Sequence, residues 1–349
     1  MTLDFEHKPA AHCENGVIAN LLRFYGFDVS EPMIFGLASG LFFSHMPFVK
    51  MAGMAVTSFR TFPGVLFSRT ARLLGFKITT KRFLNEERAM QKLDAVLLSG
   101  TPVGCVVGMY YLPYMPTEYR FHFNGHNICI VGKDDDGNYL VSDPNAIEKV
   151  TISRKDLIRV RFAKGGTYPL FGQMYWMKSV PDKLPDLAPL IRKAIKRNCW
   201  LMTSQPKWLP HFGVNGIYYL SKKIRTWEQK MSKRKAALNL AQIIRMLEEI
   251  GTGGAGFRYM YAAFLQQSAT ITGIDELNAF SQRMTAIGDL WRDFAYKASR
   301  IFKQRQGEQY TYNELGDILW EIATLEEMFF KELKKMVRFT LPQRNDTQR

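Results

Sequence analysis

Three prolines within eleven residues, in SVPDKLPDLAP (179–189), divide the chain into two stretches that no single periodicity covers. Before them, helical and strand-like patterns alternate. After them the strand signal is gone and the apolar residues recur at helical spacing. Proline lacks the backbone donor and fixes φ, so such a cluster suits a linker and neither a helix interior nor a central strand. The chain therefore reads as a mixed α+β domain over residues 1–180 followed by an all-helical domain over 181–349. With 349 residues there is length for two cores.

In the first stretch, ENGVIANLLRFYG carries Val17, Ile18, Leu21, Leu22 and Tyr25 on one helical face and closes at Gly26. SEPMIFGLASGLFF (30–43) reads as a second helix, with Ser30 as N-cap and Pro32 in its first turn. A third runs through NEERAMQKLDAVLLSG, from the Asn85 cap to the Gly100 stop. Strands are expected in FKITTKRF, PVGCVVGMYYL, HNICIVG, NYLVSD, EKVTIS and QMYWMKSV. Residues 113–124 form an aromatic, proline-broken loop of the kind that shapes a substrate mouth. The second stretch reads as successive helices, with Asp275 and Tyr312–Asn313 as starts, Gly251 and Gly273 as stops, and GTGGAG (251–256) as a turn.

The net charge of +15 is concentrated. Between Lys183 and Lys235 there are 13 Lys and Arg against Asp186 and Glu228, an excess of 11. Such a segment attracts a polyanion: nucleic acid, an anionic membrane surface or an acidic protein. A hydrophobic share of 46% with 23% charged residues is that of a globular chain. The first residues lack an apolar signal region and no run reaches the ~18 apolar residues of a membrane span, so a cytoplasmic location is expected.

Four cysteines, at 13, 105, 129 and 199, make neither a disulfide framework nor a CxxC zinc pair. Cys105 and Cys129 lie in apolar strand-like runs and read as buried small hydrophobes. Cys13 differs: its neighbours are polar and it opens a helix, where unpaired N–H groups and the macrodipole favour a thiolate. A nucleophilic cysteine also needs an imidazole and a group to orient it. His126 precedes the strand HNICIVG, and Asp143 follows the strand after it. With Lys133 to Asp136 as the hairpin loop, paired residue numbers total 269 and His126 faces Asp143. An Asp136–Gly137 two-residue turn makes the total 273 and faces His126 with Ile147. The first register is preferred because the carboxylate then accepts the imidazole N–H and stabilises imidazolium. His7 and His12 share Cys13's segment, whereas His45, His122 and His211 have no comparable carboxylate. No metal-ligand set at helical spacing and no strand-linked phosphate loop is present.

The ordered set of helix-Cys, strand-His and strand-Asp resembles that of papain-like cysteine enzymes. The HCEN stretch from His12 to Gly26, the segment 30–43, FGVNGI (212–217) and GGAGFRYMYAAFL (253–265) resemble the butirosin-biosynthesis BtrH-type family. That resemblance implies a papain-like N-terminal domain with an antiparallel sheet, and acyl transfer from a carrier-protein or coenzyme A thioester to an amine or hydroxyl. It implies Cys13 as nucleophile, His126 as base and Asp143 as orienter. It implies no bound cofactor, with the acyl group arriving on 4′-phosphopantetheine. No glutamine precedes Cys13, where papain-like peptidases carry one for the oxyanion hole. The oxyanion or substrate contacts then fall to His12, Glu14 and Asn15, or to first-turn backbone N–H groups. An already activated thioester asks less of that hole than an amide does. The basic 183–235 segment would dock an acidic acyl carrier protein, with a membrane surface left open and nucleic acid disfavoured. The acceptor would be a small molecule or lipid, in specialised-metabolite or lipid biosynthesis. The alternative is a peptidase or amidase using the same triad, with water as acceptor.

Overall fold

The computed structural model describes residues 2–51, 53–117, 120–165, 169–206, 208–303 and 310–339. In chain order these form α1 (Cys13–Phe24), α2 (Glu31–Leu37), β1 (Leu41–Met51), β2 (Met54–Arg60), α3 (Val65–Leu74), β3 (Lys77–Lys81), α4 (Glu86–Leu98), β4 (Val103–Gly108), β5 (Asn124–Lys133), β6 (Tyr139–Ser142), β7 (Val150–Ile152), α5 (Arg154–Arg161) and β8 (Met174–Ser179). Then come α6 (Leu187–Thr203), α7 (Gly213–Ile224), α8 (Trp227–Lys230), α9 (Lys233–Ile244), α10 (Arg258–Thr272), α11 (Glu276–Lys303) and α12 (Tyr312–Phe339). None of the helices among the described residues is long and apolar enough to cross a membrane.

Two compact units result, and they are not consecutive halves. One holds residues 1–34 and 63–185; the other holds 35–62 and 186–349. The division at 180/181 expected from the prolines therefore misses an insertion. Residues 30–43, expected as one helix, form a helix that ends at Leu37, a left-handed Ser39 (φ 54°) and the start of a strand.

The first unit is mixed α/β. Its sheet has the order β3-β8-β4-β5-β6-β7 and is antiparallel at each pairing. Met90, Leu93 and Val96 of α4 pack with Val103, Cys105 and Val107 of β4 and Leu157 and Val160 of α5. Asn85 caps α4 by accepting the Arg88 N–H at 2.8 Å, and Gly100 takes the left-handed conformation that ends it (φ 78°). β5 is buried nearly throughout, and α1 packs against it.

The second unit pairs the β1–β2 hairpin with the helices. In β2 the inward residues Ala55, Thr57 and Phe59 alternate with more exposed ones, the period of a half-buried strand. Phe43 and Phe59 close on Trp291 of α11 at ring distances of 5.8 and 5.2 Å, which is why this insertion belongs with the helices. Each such phenylalanine withdrawn from water is worth about 1.5–3 kcal/mol. Asn198 of α6 donates to the Leu41 carbonyl and Asn239 of α9 accepts the Ala55 N–H, so strand-edge groups are satisfied by helix side chains. At the centre, fully buried Arg258 and Glu326 form a two-bond ion pair that Trp291 Nε1 joins.

Candidate active site

Cys13 is the first residue of α1. His12, with extended backbone (φ −120°, ψ 122°), is its N-cap, and the His12 Nδ1 accepts the Asn15 N–H at 3.4 Å. The helix mouth is held by a side chain the sequence did not mark. Glu31 accepts the His12 N–H through Oε1 at 2.7 Å and the Ala11 N–H through Oε2 at 3.0 Å. Burial pushes the Glu31 carboxyl up, against those two backbone donors.

The preceding segment is fastened to the far end of the β5–β6 hairpin. The Ala10 N–H donates to the Pro144 carbonyl at 2.9 Å, and Asn20 of α1 bonds both the N–H and the carbonyl of Lys8. His7 contacts Ser142 Oγ at 2.8 Å and the Ala146 carbonyl at 3.1 Å. A carbonyl only accepts, so His7 Nε2 carries the hydrogen, and its imidazole ties segments together. Gly16 faces the same seam: a Cβ there would stand 2.5 Å from Ala10 Cβ and 2.7 Å from Pro144 Cβ. These contacts bring α1 against the Asp143–Pro144 turn.

Neither expected hairpin register is the observed one. Cys129 pairs with Ser142 and Ile130 with Val141, a total of 271. Past a bulge at Gly132 (φ 149°), Lys133 pairs with Tyr139. The turn is closed by Asp134, whose Oδ1 accepts the Asn138 N–H, a side-chain turn the periodicity did not reveal. One step beyond β6, Asp143 then lies opposite Ile128, and His126 is its diagonal neighbour on the same face. Diagonal pairs remain within reach of long side chains. His126 Nε2 accordingly donates to Asp143 Oδ2 at 2.8 Å.

The other side of that imidazole is hydrogen-bonded to Cys13. With Nε2 engaged by the carboxylate, Nδ1 is the nitrogen left for sulfur. Cys13, His126 and Asp143 thus form one continuous line, from a half-buried sulfur to a buried ring and a fully buried carboxylate. Burial disfavours the His126 charge, but the Asp143 carboxylate and the Cys13 sulfur outweigh it and push the imidazole up to about 10. Asp143 also feels burial, which would raise it. The His126 imidazole, the Asn145 N–H and Tyr114 reverse that, and the carboxyl lies below its ordinary range.

Tyr114 is a further partner. Its hydroxyl donates to Asp143 Oδ2 at 3.0 Å, while the Asn145 N–H donates to Oδ1 at 2.9 Å. Burial and the neighbouring carboxylate raise the Tyr114 phenol well above its usual range, so it stays a donor. Tyr114 comes from the aromatic loop 113–124; only the loop, and not the residue, was legible beforehand.

The side chains of two expected oxyanion or substrate contacts have other engagements. Glu14 is buried, and its Oε1 accepts the Gly64 and Phe67 N–H groups, both at 3.1 Å, capping α3. The His12 ring caps α1, and Asn15 is fully buried in that helix. The Cys13 N–H, at the first helical position, has no carbonyl a turn earlier to bond. Cys105 and Cys129 are fully buried, and burial raises both thiols. Among the described residues no group of three or more His, Cys, Asp or Glu is placed to hold a metal ion.

Comparison with known families adds to this geometry. No curated protein matches the chain. Residues 12–144 match the N-terminal segment of butirosin biosynthesis protein H, a range that opens at His12 and ends just past Asp143. Residues 155–333 match a domain of unknown function, DUF4872. With this second match alone spanning just over half of the 349 residues, the chain belongs to the DUF4872 family and carries an N-terminal segment of the butirosin biosynthesis protein H (BtrH) type.

Proposed function

We propose that the chain is a cysteine-dependent acyltransferase of a biosynthetic pathway, working through an acyl-Cys13 intermediate on a papain-like N-terminal domain. The observation that carries this reading is the unbroken line from Cys13 through His126 to Asp143. The family name, which speaks of biosynthesis, supports it.

In the first half-reaction the Cys13 sulfur attacks a thioester carbonyl. The new S–C bond forms as the donor C–S bond breaks, and the His126 imidazolium hands its proton to the departing phosphopantetheine thiolate. In the second, an amine or hydroxyl attacks the acyl-Cys13 carbonyl. His126 Nδ1 takes its proton and the Cys13 sulfur leaves. Asp143 keeps Nε2 protonated throughout and offsets the ring's charge, with Tyr114 and Asn145 fixing the carboxylate. Proton transfer of this kind contributes about 10²–10⁴-fold, and one oxyanion donor, here the Cys13 N–H, about 10²–10³-fold. The donor would ride on an acidic acyl carrier protein, drawn to the basic 183–235 segment through exposed Lys193, Arg197, Lys233 and Arg234. The acceptor is a small molecule or lipid, and the setting cytoplasmic.

Intact-mass spectrometry after incubation with acyl-phosphopantetheine thioesters tests this. Wild type should gain one acyl mass that leaves only when an amine is added, and Cys13→Ala should gain none. An adduct lost as quickly in buffer alone would make the chain a hydrolase. An equal adduct on Cys13→Ala would end the proposal.

A further inference from the structure

The β1–β2 hairpin is apolar where hairpins ordinarily turn polar. Its tip reads PFVKMAGM (47–54), with Lys50 the one charged residue. Beyond Pro47 three successive residues, Phe48 to Lys50, are open to solvent, with Phe48 67% and Val49 41% exposed. Trp208, 79% exposed, stands three residues before His211, whose ring meets that of Phe48 edge-on at 5.1 Å. Large side chains this exposed on adjoining loops mark an interaction surface.

The charged groups reached from Phe48 along the ring contacts are basic. His211 packs against Tyr219 at 4.5 Å, and the Lys223 ammonium lies over the Tyr219 ring at 5.3 Å. A line of contacts thus leads from Phe48 to a lysine. Lys50 sits in the tip itself, whereas Lys222 turns to the Trp320 ring of α12 at 5.4 Å. No Asp or Glu occurs in residues 35–62 or 187–227; the acids that reach α7, Glu327 and Asp317 of α12, bond to Tyr218 and Arg225. Lysine is depleted at the centres of protein–protein interfaces. Exposed Phe and Trp on two acid-free stretches that carry lysines match the layering of a bilayer surface, where aromatic rings sit at headgroup depth and ammonium groups meet phosphates.

We infer that the β1–β2 hairpin tip and the Trp208 loop form a docking surface for an anionic lipid bilayer. Phe48, Val49 and Trp208 enter the headgroup–acyl boundary, and Lys50 and Lys223 lie against lipid phosphates. This inference stands independently of the chemistry at Cys13.

The test is co-sedimentation of the full chain with sucrose-loaded vesicles of phosphatidylcholine, with and without phosphatidylglycerol. The anionic vesicles should carry the protein down and the neutral ones should not. The double variant Phe48→Ser/Trp208→Ser should partition at least about tenfold more weakly, the effect of withdrawing two aromatic anchors. Its far-UV circular dichroism and melting temperature should match wild type, since both side chains are exposed. The emission that Trp208→Phe removes should shift to the blue on anionic vesicles and be quenched by brominated lipid. Undiminished binding by the double variant, or Trp208 emission that ignores vesicles, would overturn the inference. So would failure to bind vesicles by a chain that dimerises, or that holds an acidic acyl carrier protein, through Phe48.

Discussion

Gly16→Ala sets two effects of comparable size against each other, and the structure says which wins. Inside a helix the exchange gains up to about 1 kcal/mol, because alanine loses less backbone freedom on folding. Gly16, however, lies where α1 meets Ala10 and Pro144. A Cβ would stand 2.5 Å from Ala10 Cβ, 2.7 Å from Pro144 Cβ and 2.9 Å from Pro144 Cγ, when ordinary contact begins at 3.4 Å. None of these atoms ends a flexible side chain, and the Ala10 N–H is bonded to the Pro144 carbonyl. The helix must therefore retreat by about an ångström, and overpacking of this kind costs about 1–3 kcal/mol. We expect a net loss of about 1–2 kcal/mol in urea unfolding. Gly16 is one turn from Cys13, so the retreat also loosens the sulfur from His126. A misplacement of about 1 Å costs on the order of 10²-fold in a reaction that depends on the pair. Alkylation of Cys13 by iodoacetamide, followed by mass spectrometry, reads the thiol's setting without any substrate, and its rate at a fixed pH should differ from that of wild type. A variant more stable than wild type with an unchanged alkylation rate would refute the reasoning, because the seam would then have room to yield.

His126→Ala leaves the Asp143 carboxylate buried without its cation and should cost about 3–5 kcal/mol. Because His126 is raised to about 10, its contribution is complete below the unfolded imidazole value near 6.5 and fades as pH climbs toward 10. Asp143 is lowered, so its contribution is lost as pH falls below the ordinary carboxylate value near 4. The gap between wild type and variant should then be widest from about pH 4 to 6.5, read by urea unfolding across pH. Tyr114→Phe removes one donor to a charged oxygen and should cost about 1.5–3 kcal/mol by the same measurement; a cost near zero would mean the hydroxyl is replaced by water. Buried His45, pushed down to about 4 by desolvation with His211 and Lys50 adding to it, should make wild type lose up to about 3 kcal/mol as pH falls from 6.5 to 4. His45→Gln, which keeps a partner for Thr57, should flatten that slope in thermal melts.

The elements that bear the candidate site were legible because their signals are local. Val17, Ile18, Leu21 and Leu22 mark α1 by spacing alone, and Asn85 and Gly100 mark the ends of α4 by cap chemistry. The β1–β2 hairpin was missed although Ala55, Thr57 and Phe59 alternate cleanly. The first strand's apolar run LFF continued a helical pattern, and only burial against Trp291 decides between the two. The hairpin register was missed for a similar reason: Asp134 closes the turn through its side chain, and a bulge at Gly132 shifts the count.

Taken alone, the sequence determined that a thiol opens a helix, that an imidazole and a carboxylate flank neighbouring strands, and that positive charge gathers after the prolines. Those statements need only the order of residues and the periods of helix and strand. Tertiary structure decided which groups touch. It set Glu31 beneath the helix mouth, Tyr114 on Asp143, and Glu14 at the start of α3, where the sequence suggested a substrate contact. Partners 19, 29 and 50 residues apart meet only after strands pair and helices pack, because their hydrogen bonds depend on positions that no local window contains.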